Sequence, residues 1–236
     1  GYGAIIEGRG GVGKTSRVLK RLNELHKDIA YNNSFTTPAS FFVWMYENRD
    51  KDVLVVDDMA DFMNNVKILS ILKGALWDVS GKRLVSYNTT KPLKDSDDDF
   101  VPRDFEIDAN LIIITNKLNE ENAHVKAIMT RVYCCKVEVP HEELMDILKQ
   151  IAKQHHPKLT MEERMEVFDL LQMSVSKANT DLNIRTLLKM FNFRAWAKEK
   201  KANIPSFQED LWKNIAIKSL KKDDLVLIIE QLLQDS

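Results

Sequence analysis

The sequence predicts an α/β fold, in which a five-stranded parallel sheet flanked by helices is followed by a smaller all-helical domain. Over the first 140 residues, short β-rich apolar runs alternate with helical stretches, as expected for strands joined by crossover helices. After Pro140 the pattern is helical only, beginning with "HEELMDILKQIAKQ". We therefore expect an α/β domain over residues 1–140 and a helical domain over residues 141–236.

The individual elements follow from local patterns. "GAIIEG" predicts the first strand, and a helix that begins near Lys14 follows a glycine-rich loop. "DIAYNN" predicts a second strand, and "TTPASFFVWMYEN" a helix with Thr37 as its N-cap and Pro38 in its first turn. "VLVVD", "NLIIITN" and "VYCCKVEV" predict three more strands, of which the first two are apolar enough to be buried on both faces. Helical spacing in "NNVKILSILKGALW" predicts another helix.

Composition indicates an ordinary globular protein. Of 236 residues 44% are hydrophobic, and 34 basic side chains nearly balance 35 acidic ones, so net charge argues neither for nor against nucleic acid. No apolar run approaches the roughly 18 to 20 residues that span a bilayer, and no leader is visible, so we expect a cytoplasmic protein without a membrane partner. Adjacent Cys134 and Cys135 lie in an alternating run and are expected to be reduced packing residues, with metal binding as the alternative.

One motif points directly to phosphate chemistry. "GRGGVGKTS" fits G-x-x-x-x-G-K-[ST] and lies between an apolar strand and a helix, where backbone N–H groups can surround phosphate oxygens. Lys14 is expected to reach the β- and γ-phosphates and Thr15 to ligate Mg²⁺, so the expected cofactors are ATP and Mg²⁺. The predicted nucleotide-binding residues are Gly8, Arg9, Gly10, Gly11, Val12, Gly13, Lys14, Thr15 and Ser16.

Polar residues at two later strand ends complete this prediction, because ligands gather at the carboxyl edge of open parallel sheets. Asp57 ends the third strand and is expected to hold Mg²⁺ through a water molecule. Asp58 would orient and deprotonate the attacking water; the alternative is a helix-capping or second-shell acid. Asn116 follows the "NLIIIT" strand, and its amide could bond both that water and the γ-phosphate.

These three elements, in this order, resemble the Walker A, Walker B and sensor 1 motifs of the AAA+ ATPases. The resemblance implies an ATPase that couples hydrolysis to movement of a substrate. Asp58 stands where the family usually has Glu, which is one methylene longer. A displacement of about 1 Å can cost about 10²-fold in rate, so we expect slow or partner-stimulated turnover.

The resemblance extends past the sheet. In "AIMTRVYCCKVEVPHEELMDILKQIA", which is similar to the segment leading into the helical lid, Arg131 would be an arginine finger for a neighbouring subunit. The alternative is a surface arginine paired with a local acid. "DLNIRTLLKM" resembles the sensor 2 helix and would set Arg185 against the γ-phosphate in the same chain, or else Arg185 is a basic residue on an amphipathic helix. A finger in trans implies a homo-oligomer, with a hexameric ring favoured.

The segment over about residues 81–108 predicts a β-hairpin, because "KRLVSYN" and "FEID" are β-prone runs separated by turn-rich sequence. Its place before the sensor 1 strand is similar to that of the pre-sensor 1 hairpin of AAA+ proteins, which faces substrate. Its expected nucleic-acid contacts are Lys82, Arg83, Lys91 and Lys94 on the phosphate backbone, with Tyr87 available for stacking. Four aspartates at 95 and 97–99 oppose such contact, so a hairpin that packs against protein is the alternative.

The resulting expectation is an oligomeric AAA+ motor that acts on DNA or a DNA-bound protein in replication, as a helicase, helicase loader or initiator. Two other functions fit parts of the sequence. A STAND-type regulatory switch also resembles the chain in "GGVGKT" and in the strand ending in two aspartates. A protein-remodelling ATPase is less favoured, because the aromatic-hydrophobic-glycine pore loop of unfoldases is not found between the second strand and "VLVVD".

Overall fold

The structure, a computed structural model, describes residues 2–34, 36–57, 62–175 and 182–220. The chain divides into two compact units, Gly1–Glu138 and Val139–Ser236. The first contains the sheet and the second is built from helices.

The first unit is built on a parallel sheet. Its strands are β1 (Gly3–Gly8), β2 (Ile29–Asn32), β3 (Val53–Asp57), β8 (Asn110–Thr115) and β9 (Tyr133–Val137), and its helices are α1 (Lys14–Glu24), α2 (Pro38–Glu47), α3 (Val66–Ala75) and α4 (Ala123–Met129). A short 3₁₀ helix, Phe62–Asn64, precedes α3. The order across the sheet is β2-β3-β8-β1-β9, and every neighbouring pair is parallel. The predicted fold class is confirmed.

Strand β3 shows why the sheet is stable. Its five residues are all buried, and successive side chains point to opposite faces. Leu54 and Val56 belong to the larger apolar cluster, with α2, α3 and α4, whereas Val53 and Val55 pack with Leu22 of α1. The unbroken apolar run predicted this covering of both faces.

Caps fix where the helices begin. Thr37 lies before α2 and accepts a hydrogen bond from the Ser40 backbone N–H at 3.1 Å, with Pro38 in the first turn, as predicted. Asn65 caps α3 in the same way through its side-chain oxygen. The helix predicted from "NNVKILSILKGALW" therefore begins at Val66, after its asparagine cap.

An antiparallel hairpin lies between α3 and β8. Strand β4 (Leu84–Ser86) pairs with β7 (Asp104–Glu106), and beyond them β5 (Leu93–Lys94) pairs with β6 (Phe100–Val101). At the base of the hairpin Val85 and Phe105 are buried, and Phe105 lies 5.0 Å from the ring of Phe42 on α2. The base of the hairpin is thus part of the apolar core.

Arg83 lies at the base of this hairpin and is only 6% exposed. Its guanidinium donates to the carbonyls of Ala75 at 3.1 Å and Ala109 at 2.8 Å, and lies 4.3 Å from the ring of Tyr2. Ala75 ends α3, and Ala109 precedes β8. The expectation that Arg83 contacts a phosphate backbone is wrong. The side chain is buried, and its hydrogen bonds join the base of the hairpin to the end of α3 and to the residue before β8.

The second unit contains α5 (His141–Lys153), α6 (Met161–Val175), α7 (Ile184–Asn203) and α8 (Leu211–Leu220). Its apolar core includes Leu148, Phe191 and Trp212. Arg194, 9% exposed, forms ion pairs with Glu163, Glu166 and Glu209 and so ties α7 to α6 and to the segment before α8.

Strand β9 is less buried than its sequence predicts. Cys134 and Cys135 are free thiols and both are exposed, so the expectation that they pack in the core is wrong. The physical reason is position, because β9 is the last strand of the sheet and pairs only with β1. Partial desolvation raises the pKa of the Cys134 thiol even at this exposed position, which disfavours its thiolate.

Replacing Arg83 by Met should lower the free energy of unfolding by about 2 to 4 kcal/mol, because two buried carbonyls lose their charged donor. Urea denaturation measures this change. Lys82→Met is the matched control, since Lys82 is exposed and pairs only with Glu106 at the surface. Equal stability of the Arg83 variant and the wild type would contradict a fastening role.

Candidate nucleotide site

The site lies at the carboxyl edge of the sheet, where three neighbouring strands end. β1 leads into the loop before α1, β3 ends at Asp57, and β8 is followed directly by Asn116. The register aligns these ends, with Asp57 opposite Ile114 and Glu7 opposite Thr115. Side chains that are far apart in the sequence therefore meet at one edge, as expected for an open parallel sheet.

The loop between β1 and α1 has the backbone conformation of a phosphate-binding turn. Gly11 and Gly13 adopt φ values of 76° and 85°, which L side chains rarely tolerate. Gly13 is also the N-cap of α1 and offers no side-chain cap to the first-turn N–H groups. These N–H groups and the positive end of the helix are therefore available to an anion.

Lys14 begins α1 and points back across the loop. Its ammonium donates to the carbonyls of Gly8 at 2.6 Å and Arg9 at 2.9 Å, and to Oδ1 of Asn116 at 3.1 Å. The residue is only 9% exposed. The structure thus brings together two predicted site residues, Lys14 and Asn116, that are 102 positions apart in the chain.

Asp57 is the acidic centre of the site and is 9% exposed. Its Oδ2 accepts a hydrogen bond from the Thr15 hydroxyl at 2.9 Å and another from the Tyr31 hydroxyl at 2.7 Å. A hydroxyl beside a carboxylate is an oxygen donor set of the kind that Mg²⁺ prefers. Thr15 and Asp57 therefore fit the metal that their motif predicts. Across residues 2–34, 36–57, 62–175 and 182–220, no group of three or more His, Cys, Asp or Glu forms an all-protein metal site.

Tyr31 was not predicted as a site residue. It lies on β2 beside β3, on the face that it shares with Val55 and Asp57, because Tyr31 pairs in register with Val55. Burial, followed by the hydrogen bond to Asp57, raises the pKa of Tyr31 from 10.0 to about 12. Because this pKa is raised, the stabilising contribution of the phenol is fully present below pH 10.0 and is lost as the pH rises towards about 12.

Glu7 is a second residue that the sequence did not single out. It lies near the end of β1, and its Oε1 accepts a hydrogen bond from the backbone N–H of Leu118 at 3.1 Å. This contact fixes the turn that follows Asn116. Glu7 therefore helps to orient the amide that contacts Lys14.

The remaining predicted catalytic residues are Asp58, Arg131 and Arg185. Asp58 lies outside the described residues. Arg131 precedes β9 and so lies at the opposite edge of the sheet, where it donates to the Ala127 carbonyl and stacks 4.8 Å from the ring of Trp77. Arg185 is exposed in the first turn of α7, in the second unit. The roles given to these three residues stay predictions.

The predicted hairpin contacts differ from one another in their surroundings. Lys82 and Lys94 are exposed but form ion pairs with Glu106 and Asp98. Tyr87 is half-buried, with its ring 5.5 Å from that of Phe42, and Lys91 is exposed. With Arg83 buried, these four residues stay predictions as nucleic-acid contacts.

The fold is shared with RuvB and with domain III of DnaA, as comparison with solved structures shows. The Thermotoga maritima RuvB Holliday junction branch migration motor matches 94% of this chain and 62% of its own, with a TM-score of 0.54 and 13% identity. Domain III of the T. maritima replication initiation protein DnaA matches 93% of this chain and 85% of its own, with a TM-score of 0.53 and 16% identity. At such identities the likeness concerns the fold alone.

Sequence comparison gives a relative without an assigned role. The chain is 26% identical over 208 residues to an uncharacterized 36.7 kDa protein in the nrdC-mobD intergenic region of Enterobacteria phage T4. This match covers 80% of the chain and 62% of the phage protein. No protein-family model matches the chain. In the part of the chain that the structure describes, no helix combines the length and apolarity needed to cross a bilayer.

Replacing Tyr31 by Phe should weaken Mg²⁺-dependent nucleotide binding by about 10-fold, because Asp57 loses the donor that orients its carboxylate. Titration of Mg²⁺ against a bound fluorescent ATP analogue measures the effect, and binding of the same analogue in EDTA should not change. Tyr133→Phe is the matched control, since this tyrosine is 71% exposed on β9. An unaltered Mg²⁺ dependence in the Tyr31 variant would rule out the orienting role.

Proposed function

We propose that this protein is a Mg²⁺-dependent ATPase of the AAA+ type that works as an oligomer on DNA or on a DNA-bound protein. The observation that carries the proposal is the cluster of Lys14, Thr15, Asp57 and Asn116 at one edge of the sheet. Each side chain contacts another member of the cluster, and the loop beside it has an anion-binding conformation.

The proposed roles follow from the chemistry of each group. Lys14 exchanges a carbonyl acceptor for phosphate oxygens and neutralises their charge. Thr15 and Asp57 would hold Mg²⁺, which would supply positive charge to the phosphates when bound. Asn116, held by Lys14, orients the attacking water, and Asp58 takes its proton.

An action on DNA is supported by the proteins that share the fold. One is a Holliday junction branch migration motor and the other a replication initiation protein. Because the chain spans 62% of the phage protein and 62% of RuvB, a role in replication and the DNA partner are proposals for this chain. The hairpin, a separate antiparallel element beside the nucleotide-binding sheet, supplies a surface for such a partner.

An oligomer is supported by the place of Arg131. The five residues of β9 separate Arg131 from the carboxyl edge by about 16 Å, which is more than an arginine side chain can reach. Arg131 therefore serves a nucleotide only if that nucleotide is bound by another subunit. A closed ring, with six subunits favoured, gives every site such a neighbour. To act, Arg131 leaves its stacked position on Trp77.

Lys14→Ala should lower affinity for an ATP analogue by at least about tenfold and abolish phosphate release, because a charge-assisted bond to phosphate is lost. Binding is measured by fluorescence anisotropy, and phosphate release with and without DNA. The matched control is Lys20→Ala, which removes an exposed lysine from the same helix. Nucleotide binding of normal strength in the Lys14 variant would refute the proposed site, and wild-type turnover unaffected by any DNA would refute the proposed partner.

Arg131→Ala should reduce turnover by about 10³-fold while nucleotide affinity is unchanged, because a finger acts on the transition state from a neighbouring subunit. Mixing this variant with the Lys14→Ala variant tests the arrangement. In mixed oligomers a Lys14→Ala subunit still supplies Arg131 to an intact site on its Arg131→Ala neighbour, so turnover should partly recover. If the two variants are shown to co-assemble and the mixture is still as inactive as each variant alone, action in trans is refuted.

A further inference from the structure

A cavity of about 260 Å³ lies between the hairpin and helix α2, away from the nucleotide site. Most of its lining is apolar or aromatic, and it includes two basic side chains and three that carry a hydroxyl. It is lined by Phe42, Tyr87, Thr89, Thr90, Lys91, Pro92, Leu93, Phe100, Val101, Pro102 and Arg103. An apolar recess with a few polar groups at its mouth is the usual form of a small-ligand site.

The hairpin has two lysines that are paired with acids away from this cavity and two other basic side chains that line it. Lys82 and Lys94, which do not line it, are neutralised by Glu106 and Asp98. Lys91 and Arg103 line it, are exposed, and form no ion pair with any residue that the structure describes. The positive charge that remains available to a ligand is therefore concentrated at the mouth of the cavity.

The apolar part of the cavity offers aromatic surface. Phe100, on β6, is 70% exposed, and the ammonium of Lys94 lies 5.5 Å from its ring centroid. Tyr87 and Phe42 form the deeper wall, with ring centroids 5.5 Å apart. Rings beside cations match a ligand that has both a flat π-system and negative charge.

We propose that this cavity holds one unstacked nucleotide of a single-stranded nucleic acid, with the base between Tyr87 and Phe100 and the phosphates on Lys91 and Arg103. The inference deepens the proposed function, because it names the form of DNA that the hairpin would contact. A cavity of about 260 Å³ is large enough for one base, whose π-face stacks on aromatic side chains whatever its identity.

The turn of the hairpin explains why a single strand is favoured over a duplex. Asp95 closes the turn by accepting hydrogen bonds from the backbone N–H groups of Asp97 and Asp99. Residues 94–99 contain four aspartates and one lysine, so the tip of the hairpin is negatively charged. A duplex carries two rows of phosphates over a wide footprint and would approach these carboxylates. In a duplex, moreover, the bases are stacked and cannot enter a recess, whereas a single strand can turn one base inward.

The test measures binding of the full-length chain to labelled oligothymidylate, to an abasic oligonucleotide of equal length, and to polyglutamate. Phe100→Ala should weaken binding of oligothymidylate by about 5- to 100-fold and leave binding of the abasic strand unchanged. Lys91→Gln with Arg103→Gln should weaken both oligonucleotides and lower the slope of log affinity against log salt by about 1.4, since each phosphate contributes about 0.7. Lys27→Gln, which removes a surface charge paired with Asp52 and is not part of the hairpin, is the control and should match the wild type.

Three outcomes would overturn the inference. They are equal effects of Phe100→Ala on the normal and abasic strands, a loss with Lys27→Gln as large as with the double variant, and polyglutamate binding as tight as that of oligothymidylate. Anisotropy with the ATP analogue, run on the same preparations, separates this failure from that of the proposed function. If the Phe100, Lys91 and Arg103 variants bind the ATP analogue and also keep the oligonucleotide affinity of the wild type, the proposed nucleotide site stands and the cavity proposal is wrong.

Discussion

The register of three parallel strands is the constraint on which the site depends. Asp57 lies opposite Ile114, and Glu7 lies opposite Thr115. The glycine-rich loop, Asp57 and Asn116 are therefore level with one another at the carboxyl edge of the sheet. A slip of one residue in β3 would turn Asp57 to the other face of the sheet. Since β3 is buried on both faces, such a slip would also disturb two apolar clusters. The packing of the sheet thus fixes the geometry of the site.

Much of this arrangement could be predicted because periodicity and glycine spacing are local signals. Strands β1, β2, β3, β8 and β9 and helices α1, α2 and α3 lie where their apolar patterns predict, and these patterns can be read without knowledge of tertiary contacts. Tyr31 could not be found in this way. Alternation in "DIAYNN" gives the face on which its side chain lies, but only the order of strands in the sheet shows that β2 borders the strand of Asp57.

Arg83 was mispredicted for a related reason. In "GKRLVSYN" two basic residues are adjacent and look equivalent, yet neighbouring residues of a strand point to opposite sides. Arg83 lies on the side of Val85, which is fully buried, whereas Lys82 and Leu84 lie on the exposed side. The alternation of the hairpin was therefore the available signal. The exposure of Cys134 and Cys135 had no such signal, because whether a strand is at the edge of a sheet depends on its partners.

The fastening of Arg83 also has a mechanical consequence. Its guanidinium holds the carbonyl of Ala109, and the six residues of β8 that follow lead straight to Asn116. A strand of that length spans about 20 Å and, hydrogen-bonded to β1 and β3 on both sides, is stiff along its axis. The Arg83 guanidinium and the Asn116 amide therefore lie at opposite ends of one strand that is hydrogen-bonded on both sides, so the base of the hairpin and the nucleotide site share a single structural element.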